Sequence, residues 1–205
     1  MANMGMLRDA VTAWAAGGPG GPAQDLADRL AVHTAVLLEG PSDAAAVEAM
    51  AARRGRDLAA DGVCVLPMGG AMSVGRFAEL LGPDGLDLRL VGLCDEREQD
   101  FYVRALRRAD AEPDGLFVCA ADLEDELIRA LGVSVVTELV VGEGESRRLQ
   151  TFLRQPAQQG RAAQQQLRRF LGTKSGRKIH YGRILVEALE PARTPAPLAG
   201  LFAAL

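Results

Sequence analysis

Six carboxylates stand where short apolar runs end. Glu39 and Asp43 follow TAVLL (34–38), Asp95 and Glu98 follow LRLVGL (88–93), and Asp122 and Glu124 follow LFVC (116–119). Carboxylate oxygens gathered in one place are the hard ligands that hold Mg2+ or Mn2+, with waters completing the shell. Such an ion polarises phosphoryl oxygens and activates water, so the chemistry indicated is metal-assisted attack on a phosphodiester. A plainer reading stands beside it, in which Glu39 solvates a loop and Asp43 caps the next helix.

Basic residues are distributed in the opposite sense. The formal net charge of -4 hides 24 acidic and 12 basic groups in residues 1–144, against 3 acidic and 11 basic groups in residues 145–205. Between Ser146 and Val186 there are ten Arg or Lys and no acid. One part offers carboxylates for metal and the other offers cations for phosphate, which suits a nucleic-acid partner. Packing of two oppositely charged lobes would produce the same asymmetry.

The elements that must position these groups follow from pattern. Strands are expected at 34–38, 62–66, 88–93 and 116–119, from short runs rich in stiff apolar residues. Helices are expected at 7–16, 23–30, 43–54, 73–81, 99–109, 122–131, 147–154, 160–171 and 177–189, with GGPGGP (17–22) as a break and Pro191, Pro195 and Pro197 ending the last. Strands alternating with helices imply right-handed crossovers and a mainly parallel α/β sheet of about four strands. In such a sheet ligands bind at the carboxyl ends of the strands. The three acidic pairs therefore converge although 30 to 60 residues separate them. The expected division is an N-terminal helical segment (1–30), an α/β domain (31–144) and a basic helical C-terminal region (145–205) packed on it.

Composition narrows the class. Hydrophobic residues make up 48% and aromatics only 4%, an ordinary globular balance. No apolar run reaches the roughly 20 residues of a membrane span, and the first residues lack the pattern of a secretion signal. Cys64, Cys94 and Cys119 have no CxxC spacing and sit in or beside strand-like runs, so they are expected as buried free thiols. These features together lead to the expectation of a cytoplasmic protein with no membrane partner.

The order of the motifs resembles the Toprim domain of topoisomerases, bacterial primases, small ribosomal-RNA-maturing nucleases and OLD-family nucleases. LLEGPSD supplies Glu39, Gly40 and Asp43 of its Glu-Gly-x-x-Asp element, MGG supplies Gly69 and Gly70, and LVGLCDERE supplies Asp95. ADLEDELI, with Glu124, resembles the extra acidic element of the OLD-type branch, and GRKIHYGRIL, with Lys178, resembles that branch's distal lysine region. The resemblance spans about residues 31 to 189 and implies a Toprim-like Rossmannoid fold. Where the family pattern has a second Asp after Asp95, this sequence has Arg97, flanked by Glu96 and Glu98. A guanidinium cannot ligate a metal. Glu98 is the substitute on offer, and one-metal chemistry, or none, becomes an alternative to two-metal chemistry.

The reading that results is a Mg2+- or Mn2+-dependent nuclease acting on DNA or RNA. Its metal ligands are Glu39, Asp43, Asp95, Glu98 and Glu124. Its catalytic residues are Glu39, which the resemblance assigns a proton-handling role, and Lys178, which neutralises phosphoryl charge. Its substrate contacts are Gly69, Gly70, Arg168, Arg169, Lys174 and Arg177. The plainer reading of Lys178 is an exposed lysine at a helix start, and His33 and His180 are expected to be structural or exposed. With no GxxxxGK[ST] in the sequence, a separately encoded ATPase, or a second copy in a homo-dimer, is the expected protein partner. The rivals are a catalytically reduced Toprim module that binds nucleic acid or protein, and a nucleotidyl transferase.

Overall fold

Period-two burial on both faces defines the sheet. In the computed structural model, which describes residues 3–111, 115–173 and 175–205, the strands are β1 (Thr34–Leu38), β2 (Val63–Pro67), β3 (Arg89–Asp95) and β4 (Leu116–Cys119). All pairings are parallel, in the order β2-β1-β3-β4. Ala35, Leu37, Cys64, Leu66, Leu90 and Cys94 point into one core. Val36, Leu38, Val63, Val65, Val91 and Leu93 point into another on the opposite face. Alternating side chains that are apolar on both faces require helices on both faces.

The first core is covered by α1 (Met4–Ala15), α2 (Gly21–Arg29), α4 (Val74–Leu81) and α5 (Gln99–Arg108). The second is covered by α3 (Pro41–Arg53), α6 (Leu123–Leu131), α7 (Val133–Gly142), α8 (Ser146–Leu153), α9 (Ala163–Leu171), α10 (Ser175–Ala188) and α11 (Ala196–Ala204). The basic C-terminal helices thus share one apolar cluster with the sheet. The chain leaves β1 toward β2 and later leaves β3 toward β4 on the other side. The boundary between β1 and β3 is therefore the point where strand order reverses, and open α/β sheets place ligands there. Glu39 and Asp95 stand on its two sides.

Two helices lie outside the sequence expectations. α7 reads VSVVTELVVG, a β-branched run that suits a strand by propensity. Gly132, at φ +87°, breaks the chain ahead of it, and Val136 and Val140 are one turn apart on its buried side. α11 starts at Pro195 and Pro197, expected only as terminators. Proline is also at home in a first helical turn, where its missing N–H has no partner to lose. β3 runs two residues further than expected and takes Asp95 into the sheet. Cys64, Cys94 and Cys119 are buried and free, and burial pushes the Cys64 and Cys94 thiols up to about 12. Among the described residues, no helix is long and apolar enough to cross a membrane.

The contact that matters most for the site is α10 against α3. A Cβ on Gly182 would stand 2.5 Å from the Ser42 carbonyl oxygen, so only glycine permits this approach. Further along, Arg53 at the end of α3 donates to the carbonyls of Val186 (3.1 Å), Glu187 and Leu189 (2.5 Å), satisfying the last turn of α10. The two helices therefore run side by side in the same direction. The first turn of α10 projects past the amino end of α3, over the carboxyl edge of the sheet. Gly182→Ala is expected to cost about 1–3 kcal/mol through overpacking, a fall of roughly 2–12 °C in melting temperature for a chain of this size. Gly176→Ala, on the same helix with nothing within 4 Å of its Cβ position, is expected to be neutral or slightly stabilising. Thermal melts of the two variants check this.

Candidate metal and phosphate site

Each acid reaches the carboxyl edge by a local device. After β1 the chain turns at Gly40, whose N–H donates to Asp43 Oδ2 (3.1 Å), so Asp43 does cap the start of α3. Gly69 and Gly70 carry φ of +77° and +131°, which side-chain-bearing residues rarely adopt. That turn brings the Gly70 N–H to the Glu39 carbonyl (2.9 Å), while Met68 N–H donates to the Leu38 carbonyl (2.8 Å). The two glycines thus fix the backbone of Glu39. The short 3-10 turn Glu96–Glu98 follows Asp95 directly and brings Glu98 back toward it. Asp122 caps α6 through its Oδ1, which accepts from the Asp125 N–H (2.8 Å), and places Glu124 in the buried first turn.

The six carboxylates sort into three groups. Glu39, Asp95 and Glu98 each offer an oxygen within 4.8 Å of the others. Oxygens on opposite sides of a Mg2+ lie about 4 Å apart, so this trio is within reach of one small hard cation. Glu98 Oε2 is buried without a hydrogen-bond partner, which leaves it free to act as a ligand atom. Glu124, 3% exposed, pairs through Oε1 with Lys178 Nζ at 3.3 Å, and its Oε2 is also buried and unpartnered. Asp122 Oδ2 accepts from Arg168 Nε (2.7 Å) and Nη2 (2.6 Å).

Electrostatics bind the groups together. Asp95 is pushed up to about 7 by burial and then by Asp122, Glu39, Glu98 and Asp43. Asp43 is also pushed up to about 7, by burial and Glu124, against the pull of Lys178 and the Gly40 N–H. Burial, then Glu39, raises Glu98. Burial, with Asp122, raises Glu124 in spite of the pull of Lys178. Burial disfavours the Lys178 ammonium, but Glu124 and then Asp43 outweigh it, so the lysine stays charged. Beneath the trio lies Tyr102, fully buried, its hydroxyl unpartnered and its pKa raised by burial and then by Glu98.

A cleft of about 680 Å³ opens beside the acids. Asp122, Glu124, Lys178, Arg161, Arg168, Arg169 and Phe152 line it, and the Glu39, Asp95 and Glu98 trio stands outside its lining. Of the basic residues expected to meet substrate, Arg168 and Arg169 are here, Arg169 exposed and Arg168 half-exposed on Asp122. Lys174 lies outside the described residues. Arg177 is a correction. It is 7% exposed, pairs in two-pronged fashion with Glu145 (Nε to Oε2 and Nη2 to Oε1, both 2.8 Å) and stacks over the Phe170 ring. Its partner lay outside the acid-free run and so gave no sign in the sequence; Glu145 is held down to about 2, chiefly by this guanidinium. Gly69 and Gly70 do not line the cleft and serve Glu39 instead. Arg97 is exposed.

The sequence reading named Asp122 beside Glu124 but gave it no role, and it missed Arg161, Phe152 and Tyr102. The capping position of Asp122 masked its second oxygen. Arg161 stood within the acid-free basic run, which was the available signal. His180 is exposed and pairs with Glu143 (2.7 Å), and His33 meets the Thr34 hydroxyl (2.9 Å); neither is in the cleft.

Residues 32–96 match the family described as "Overcoming lysogenization defect protein-like, TOPRIM domain". The fold is similar to the C-terminal region of the Xanthomonas campestris pv. campestris OLD protein, with 22% identity and a TM-score of 0.64 over 86% of this chain and 93% of that one. It is also similar to the C-terminal region of the Burkholderia pseudomallei OLD protein, with 18% identity and a TM-score of 0.63 over 83% of this chain and 95% of that one. No curated protein matches the sequence.

The raised carboxylates set a pH dependence. For an acid whose folded pKa lies above its unfolded value, the folded state holds the extra proton, so stability falls as pH rises through that window. Asp43 and Asp95 place the window between about 4 and 7. Glu145, held low, acts in the opposite sense below about 4.5. Metal-free protein is therefore expected to be most stable near pH 4–5 and to lose stability toward pH 7. Urea midpoints from pH 3 to pH 8.5 measure this, and a profile rising from pH 5 to 7 contradicts it.

Proposed function

We propose that this chain, whose residues 32–96 are a TOPRIM domain of the OLD-like type, is a divalent-metal-dependent phosphodiester hydrolase acting on nucleic acid. One observation carries the reading: Glu39, Asp95 and Glu98 stand within ligand reach of each other, next to Asp122 of a cleft that also carries Lys178 and three arginines. Carboxylates held so close, with an orphaned oxygen among them, fit a hard divalent ion and little else.

Asp95 and Glu98, with Glu39, would hold the ion. Mg2+ or Mn2+ supplies Lewis-acid charge stabilisation and a water of lowered pKa. The chain's own residues supply the rest. Arg161 and Arg169 draw the phosphate backbone into the cleft. Lys178, held by Glu124, presents a fixed positive charge where phosphoryl charge develops in the transition state. Glu39 Oε accepts the proton of the attacking water or returns one to the leaving oxygen. The half-buried Phe152 ring gives the cleft an apolar face against which a base can rest.

The rival, a module that binds nucleic acid without cutting it, rests on Arg97 at the second acidic position of the family pattern. The cluster favours the enzyme, because burial and four carboxylates raise Asp95 although Arg168, held on Asp122, interacts with it.

Two experiments test the reading. Mg2+ or Mn2+ at about 100 times its Kd should stabilise the fold by about 2.7 kcal/mol, a rise of roughly 5–10 °C in melting temperature, and Asp95→Ala should remove the rise. Glu39→Gln should retain the fold and lose on the order of 100-fold or more in cleavage rate. Absence of divalent-ion binding at millimolar metal would leave the binding module as the answer. In parallel, Arg169→Ala should weaken nucleic-acid binding alike for all sequences and flatten the log-log salt dependence by about 0.9 on duplex or 0.7 on single strand. An unchanged slope would remove Arg169 from the interface.

A further inference from the structure

The three carboxylate groups differ in how their charge is met. Arg168 answers Asp122 through two nitrogens. Lys178 answers Glu124 at 3.3 Å, and Asp43 is pushed by Glu124 and drawn by Lys178, so all three charges share one subsite. Among the described residues no Lys or Arg is ion-paired with Glu39, Asp95 or Glu98, and Arg168, held on Asp122, acts on Asp95 only from beyond ion-pair distance. The Lys178 subsite is also built to stay filled. Gly182 holds the same helix against the Ser42 carbonyl one turn later, and Arg53 secures its far end. Nearly fully buried, Glu124 cannot turn to water to replace the ammonium.

Resting on the metal-dependent reading above, we infer that this chain holds one divalent ion, at Glu39, Asp95 and Glu98, and that the Lys178 ammonium takes the place of a second ion beside Asp43 and Glu124. An ammonium and a divalent cation repel each other and compete for the same oxygens, so the two cannot share those carboxylates. The turn that joins Asp95 to Glu98 points the same way. A second ion bridging the groups would need a further inward carboxylate on that turn, which offers only the exposed Glu96 and Arg97. The unpartnered Glu124 Oε2 is the ligand atom left over. A fixed ammonium still lends positive charge to a phosphoryl group in the cleft, but it cannot activate a water as a metal does. The single ion in the trio then has sole charge of the attacking oxygen.

The test is stoichiometry, read independently of activity. Mn2+ is titrated into the metal-free full chain by calorimetry, and bound Mn2+ is counted by electron paramagnetic resonance. Wild type should bind one ion. Lys178→Met should bind two, and Asp95→Ala combined with Lys178→Met should return to one. Lys178→Met leaves Glu124 uncompensated, so circular dichroism confirms folding and Lys178→Gln serves as a second variant that keeps a polar end. Two ions in wild type would overturn the inference while leaving the metal-dependent reading intact. One ion in folded Lys178→Met and Lys178→Gln would do the same. No bound ion in wild type would remove that reading and the inference together.

Discussion

Like charges confined to one edge of a sheet are the constraint on which this molecule turns. Parallel strands send all their carboxyl ends to the same side, and three of the four lead into acids. Six carboxylates there repel, and burial adds to the penalty; both effects show in the raised Asp43 and Asp95. The fold survives because positive charge is delivered from far along the chain. Arg168 and Lys178 reach Asp122 and Glu124 from helices more than 40 residues later. The charge asymmetry of the sequence is thus the covalent trace of a spatial match, and packing and function draw on the same cations.

That delivery demands accurate placement of α10. Its route over the sheet edge is set by the Gly182–Ser42 contact, its end by Arg53, and its beginning by Arg177 on Glu145 with Phe170 beneath. None of these touches the cleft chemistry. Arg177 nevertheless governs it, because a residue pinned on one side of the first turn leaves its neighbour Lys178 facing Glu124. Two adjacent basic residues in the sequence have therefore divided the work, one fixing the helix and one facing the acids.

How much of this could be read beforehand follows from the range of each interaction. The strands and the helices between them were legible because period and punctuation are local: TAVLL and LFVC became strands at the expected residues. The convergence of Glu39, Asp95 and Glu98 was legible because it needs only parallel order. The split of six acids into a trio, two ion pairs and the capping Asp43 was not. It depends on the packing of α9 and α10, which no spacing near the acids records. Arg177 was misplaced for the same reason, since its partner Glu145 is 32 residues away. α7 was missed because β-branched propensity argues for a strand, and the packing of Val136 and Val140 overrides it. Lys174 stays an expectation of the sequence alone.

On the proposed function, the same electrostatics impose an order of events. A nucleic-acid phosphate approaching the cleft meets both Arg161 and Arg169 and carboxylates. Without a cation in the trio, the carboxylates repel the scissile phosphate even while the arginines attract its neighbours. With the trio neutralised, Lys178 and the neighbouring ion add to the attraction of Arg161 and Arg169. Metal and substrate thus reinforce each other through Coulomb interactions across one cleft, and no movement of the backbone is required. The buried, half-satisfied Glu124 keeps Lys178 charged in both circumstances. This fixed positive charge is present before either ligand arrives, and it marks where the phosphate is to sit.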